Sequence, residues 1–137
     1  MIVKHWEDRG FVCFINHNDT FDTFNGYIAV PKSHPWHGKL YEDIDVVVHG
    51  GLTFSENLGG HWVLGFDTNH SGDAYGPNAA INVLLNSQAG YLNDGIHKGL
   101  GYVEGELSNL VDQALELGPG FDMSESARCL LGVKSLI

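Results

Sequence analysis

The sequence predicts an α+β fold, a mostly antiparallel sheet of four or five strands followed by one long C-terminal amphipathic helix and a short second helix. Short apolar runs broken by Asn, Asp, Gly and Pro fill the first half, which is the rhythm of strands and turns. From Val103 the apolar residues return at spacings of three and four instead. At 137 residues the chain buries roughly two-thirds of its unfolded surface, enough for one core. The expected organisation is therefore a single domain over 1–137, with a site-bearing segment at 26–73, the main helix at 103–117 and a C-terminal appendage at 118–137.

Taken in order, the apolar runs are Phe11-Val12-Cys13-Phe14-Ile15, Gly26-Tyr27-Ile28-Ala29-Val30, residues 44–48 and residues 62–66. The last two are joined through Gly50-Gly51, Leu52-Thr53-Phe54 and Gly59-Gly60, a spacing that predicts antiparallel neighbours with a bulge or tight turn at the first glycine pair. Residues 31–41, Pro-Lys-Ser-His-Pro-Trp-His-Gly-Lys-Leu-Tyr, read as a loop with one helical turn, because Ser33 or His34 precedes Pro35 at a first helical position. Gly, Asn, Ser and Asp dominate 67–100, and periodicity leaves the apolar stretch 79–85 open between helix and strand. In the main helix, Val103, Leu107, Leu110, Val111, Ala114, Leu115 and Leu117 form the apolar stripe. Glu104 and Glu106 are expected in its first turn, where the helix dipole favours acids, and Gly118-Pro119 closes it. A second helix over 124–131, starting from a Ser cap, reads as a fold-completing appendage or an oligomer contact.

Composition removes several function classes. With 43% hydrophobic and 18% charged residues the chain is no disordered tail, and no stretch approaches the ~20 apolar residues of a membrane span. The first nine residues lack the apolar core of a secretory signal, so a cytosolic setting is expected. Cys13 and Cys129 each sit in apolar runs and read as small buried hydrophobes, although the count also permits one disulfide. The 17 Asp and Glu against 7 Lys and Arg give a net charge of −10, which repels duplex nucleic acid. Lys32, His34, His37 and Lys39 nevertheless form a basic segment without an acid, suited to a compact anion.

Five of the eight histidines, His34, His37, His49, His61 and His70, fall within 37 residues and alternate with Asp45, Asp67 and Asp73. His49, Asp67, His70 and Asp73 are the donors a divalent metal would need for assisted hydrolysis. The same letters also serve a solvated turn in which the aspartates cap backbone N–H groups. A metal-free hydrolase lacks an obvious nucleophile elbow. The alternative is a pocket for an anionic aromatic ligand such as a nucleotide, needing no cofactor. Tyr27, Trp36, Tyr41 and Phe54 offer rings, while Lys32, His34, Lys39 and the backbone near Gly50-Gly51 and Ser71-Gly72 offer phosphate donors. Phe54 and Trp62, in strand-like runs, read as core rather than pocket; Trp36, between Pro35 and His37, reads as an exposed loop ring.

The blocks Gly26-Tyr27-Ile28-Ala29-Val30-Pro31, His34-Pro35, Gly38-Lys39, Asp45-Val46-Val47-Val48-His49-Gly50-Gly51-Leu52-Thr53 and Gly65-Phe66-Asp67-Thr68-Asn69-His70-Ser71-Gly72-Asp73 resemble a widespread family of small phage and prophage proteins. That family is in turn similar to phage sponge proteins, which bind cyclic nucleotide immune signals and withhold them from host defence effectors. The resemblance implies binding without turnover, a homo-oligomer with pockets at subunit contacts, and a ligand site drawing on Tyr27, Lys32, His34, Trp36, Lys39, His49, Thr53 and His70. It assigns nothing to 74–100 or to the tail after Gly118. A metal-dependent phosphoesterase degrading the same ligand is the first competitor. An acidic protein decoy is the second, disfavoured because the acids are scattered over both halves of the chain.

Overall fold

The computed structural model of the chain describes residues 1–68, 73–74 and 96–134. Five strands, β1 (Ile2–Asp8), β2 (Phe11–Asn18), β3 (Thr23–Val30), β4 (Phe54–Leu58) and β5 (His61–Phe66), form one sheet in the order β1-β2-β3-β5-β4, every pair antiparallel. A short parallel pair, β6 (Asp73–Ala74) and β7 (Ile96–His97), stands apart from it. Two helices follow, α1 (Leu100–Leu117) and α2 (Met123–Lys134). This is the α+β arrangement the apolar patterning predicts. No helix among the described residues is long and apolar enough to cross a membrane.

The run at 11–15 has no exposed side chain because β2 is covered on both faces, as a continuous apolar strand requires. On one face Phe11, Cys13, Ile15, Ile28, Leu64 and Phe66 pack under the α1 stripe Val103, Leu107, Leu110, Val111 and Ala114. On the other, Val12, Phe14, Ala29 and Val63 meet Cys129 and Val133 of α2. The appendage thus completes the fold by covering the second face. Both cysteines are free and buried, and burial raises both thiols, Cys129 to about 12. Helix α1 comes close to the sheet at Gly26, where a Cβ would stand 2.7 Å from the Phe66 ring and 3.0 Å from Val103 Cγ1.

Residues 44–48 do not form a strand. Val47 N donates to Gln113 Oε1 and Gln113 Nε2 donates back to Val47 O, both at 2.8 Å, while His49 N donates to Glu106 Oε1 at 2.8 Å. Side chains of α1 therefore satisfy a backbone that would otherwise need a neighbouring strand. Ile44 and Val48 still point into the core, so the alternation is real but its partner is a helix. The edge position beside β5 belongs to β4, joined to it by a two-residue turn at Gly59 (φ 59°) and Gly60 (φ 90°), the left-handed pair that a tight hairpin favours. Strand β1, whose charges mask the apolar pattern, lies at the opposite edge, with Lys4 paired to Glu104 at 2.9 Å.

Helix α1 starts three residues before the expected Val103, which moves Glu104 and Glu106 out of the first turn. Their partners are Lys4 and the His49 amide rather than free helix N–H groups. Helix α2 is capped by Asp122, whose Oδ1 accepts from Glu125 N at 2.8 Å, and not by Ser124.

Candidate functional site

Pro31 ends β3, and the chain then turns on itself three times: His34 N donates to Pro31 O, His37 N to His34 O and Lys39 N to Trp36 O, at 3.0 to 3.1 Å. This winding turns two of its side chains inward. His34 and Trp36 are each only 3% exposed. Trp36 joins the core beneath α1, which corrects the expectation of an exposed loop ring: an indole this size is driven into the apolar layer. The Trp36 backbone N–H donates to His34 Nδ1 at 3.0 Å, so Nδ1 is the unprotonated nitrogen and Nε2–H donates to Ala114 O at 2.8 Å. Burial lowers the His34 pKa, opposed by the Ala114 carbonyl. His34 is a neutral structural clasp rather than a phosphate donor.

Outside that clasp, the same turn forms one wall of a cleft of about 450 Å³. The second wall is the start of β5, and the third is α2 with its lead-in. Lys32 and His37 come from the turn, His61 and Trp62 from β5, and Phe121, Glu125 and Arg128 from the helical side. Each is placed by a local rule. The Gly59–Gly60 turn starts β5 at His61. Glu125 and Arg128, three apart on α2, share one helix face. The Trp62 indole is oriented by donating Nε1–H to Lys39 O at 3.1 Å. Two ring pairs line the space, His37 with Trp62 at 6.0 Å and His61 with Phe121 at 6.0 Å.

The electrostatics of the cleft run against those of the molecule. Lys32 and Arg128 are exposed and form no ion pair among the described residues, and Glu125 is the only acid in the lining. His37 Nδ1 is buried without a hydrogen-bond partner among the described residues, a state that native proteins rarely leave unresolved. A neighbouring cleft of about 530 Å³ by Leu115, Phe121, Met123 and Leu130 is comparable in size. Its one cation, Arg9, is already bound by Asp8 and Asp112 at 2.9 and 2.5 Å. Chemistry, not volume, separates the two.

The seven described members of the expected ligand set do not line one cavity, and of these Lys32 alone lines the cleft. Lys39 is exposed and contributes its carbonyl to Trp62. Tyr27 and Thr53 line a separate cavity of about 210 Å³ with Asp67. One face of the Tyr27 ring is already taken by Phe14, stacked at 4.8 Å, and Phe54 meets it edge-on at 5.3 Å. Burial raises the Tyr27 phenol. His49 Nδ1 lies 2.8 Å from the Tyr102 hydroxyl, against α1. His70 lies outside the described residues.

Of the expected metal set, the side chains of His49 and Asp67 are described. Thr53 Oγ1 donates to Asp67 Oδ2 at 3.3 Å, His49 faces α1, and neither His70 nor the side chain of Asp73 is described. Among the described residues no three His, Cys, Asp or Glu side chains form a group able to hold a metal. His37, His61, Trp62, Phe121, Glu125 and Arg128 line the cleft but stand outside the expected ligand set. His61 belonged to the histidine cluster, but nothing in the linear order links it to Arg128. Comparison with protein-family models, curated proteins and solved structures finds no match for the chain.

Proposed function

We propose that this protein is a non-enzymatic binder of a small phosphate-bearing aromatic ligand, held in the cleft between the 31–37 turn, β5 and α2. The observation that carries this reading is the meeting of Lys32, Arg128, His37 and His61 beside Trp62 in a chain of net charge −10. These groups offset locally the repulsion that a chain of this net charge exerts on an anion. The volume, about 450 Å³, lies in the range of roughly 300–1,000 Å³ typical of small-molecule sites. Cations for phosphate beside an indole for a base is the combination a nucleotide requires.

The biological role proposed with this site is a phage-type sponge: capture of a cyclic nucleotide or related immune signal in the host cytosol, without turnover. The resemblance of the 26–73 blocks to phage proteins supports that setting, and the ligand residues are those of the cleft. Calorimetry against cyclic mononucleotides and dinucleotides, followed by heat denaturation and mass spectrometry of the released ligand, tests it. Micromolar or tighter binding with intact ligand recovered is expected. Recovery of a linearised or dephosphorylated product replaces the sponge with a phosphoesterase, and no binding across the series ends the proposal.

A further inference from the structure

We infer that ligand capture in this cleft is coupled to proton uptake by His37 and His61, so that the protein holds a doubly charged anion more tightly as the pH falls. The inference rests on the anion-site reading above and adds how its charge is balanced. The permanent charges in the lining are Lys32 and Arg128 against Glu125, a surplus of one positive charge. A ligand with two negative charges leaves one uncompensated, against walls that include Val30, Pro31, Trp62 and Phe121. An uncompensated charge beside apolar surface is costly.

Two further groups in the lining can gain positive charge, and both are imidazoles, the side chains that change charge between pH 5 and 8. They reach the cleft from different elements, His37 from the turn and His61 from β5. The charged groups packed around them are Lys32 on the turn and Glu125 and Arg128 on α2. The sign follows from linkage. A bound anion favours the charged imidazole, so the complex binds more protons than the free protein and affinity rises on acidification.

The test uses the full chain with two probes of constant charge across the range, cyclic diadenylate and inorganic sulfate, at pH 6, 7 and 8 and fixed ionic strength. Calorimetry at pH 7 in buffers of different ionisation enthalpy counts the protons. The expectation is about a tenfold gain in affinity from pH 8 to pH 6 for cyclic diadenylate, with net proton uptake. Uptake should fall in the His37→Gln/His61→Asn variant and persist in Lys32→Met, which binds more weakly at every pH. Binding with pH-independent affinity and no uptake overturns the coupling and leaves the anion site standing. Absence of binding for both probes at every pH overturns the site and the coupling together.

Discussion

The imidazole of His34 donates from Nε2 to the carbonyl oxygen of Ala114 at 2.8 Å, across 80 positions of sequence. That bond pins the turn after β3 to the last turns of α1, and the cleft wall is the outer surface of the same turn. Positioning by buried residues and binding by their exposed neighbours are thus separated within five residues, His34 and Trp36 inside, Lys32 and Ser33 outside.

The clasp predicts a pH dependence of stability. Burial lowers the native pKa of His34, whereas in the unfolded chain the ring takes a proton below about 6.5. The unfolded state then binds more protons than the native one, so this contribution is present above pH 6.5 and is lost as the pH falls towards the native value. Urea unfolding from pH 7.5 to 5 should show a decline that is smaller in His34→Gln. Equal pH slopes in the two proteins contradict the clasp.

Trp36 should behave as a core residue. Its truncation to Ala is expected to cost about 3–5 kcal/mol, read as a lowered urea midpoint. A midpoint within error of wild type would return the ring to the surface.

Lys32 and Arg128 should behave oppositely. Replacement of either by Met removes a charge-assisted contact of about 1.5–3 kcal/mol, a tenfold to hundredfold loss of affinity for the captured nucleotide. The melting temperature should hardly move, because neither group forms an ion pair among the described residues. Lys39→Met, outside the lining, should bind as wild type does.

Gln113 makes two 2.8 Å bonds to Val47. Gln113→Ala should cost about 1–3 kcal/mol and speed hydrogen exchange at the Val47 amide, with exchange in β2 changing only with global stability. Unchanged exchange at Val47 would assign the segment's order to the burial of Ile44 and Val48 instead.

The thiols of Cys13 and Cys129 are buried on opposite faces of the sheet. A thiol reagent should label them only as fast as the protein opens, with a rate that follows denaturant. Rapid labelling in native buffer would contradict the closed core.

Much of the fold was legible because periodicity reports burial. The apolar run 11–15 marked the central strand, and the three-and-four spacing of Val103, Leu107, Leu110, Val111 and Ala114 marked the helix face. Residues 44–48 misled for an instructive reason: alternation says that one side is buried but not against what, and here the covering element is a helix that also supplies the hydrogen bonds. Strand β1 is masked in the sequence because an edge strand carries charges, as Lys4, Glu7 and Asp8 do. The site was less legible still. Lys32 and the 31–41 segment stood out by composition, but the side chains of that segment divide between core and surface by how the backbone turns.

By itself the sequence determined the α+β class, the antiparallel sheet, the position of the long helix and the burial of both cysteines, because each depends on apolar spacing within a short window. Tertiary structure alone decided that Trp36 is core, that β4 rather than 44–48 flanks β5, and that His61 and Arg128, 67 positions apart, share a cleft with Lys32. The physical reason is that a binding cleft is made by surfaces distant in the chain, and which surfaces meet depends on how the helices pack over the two faces of the sheet.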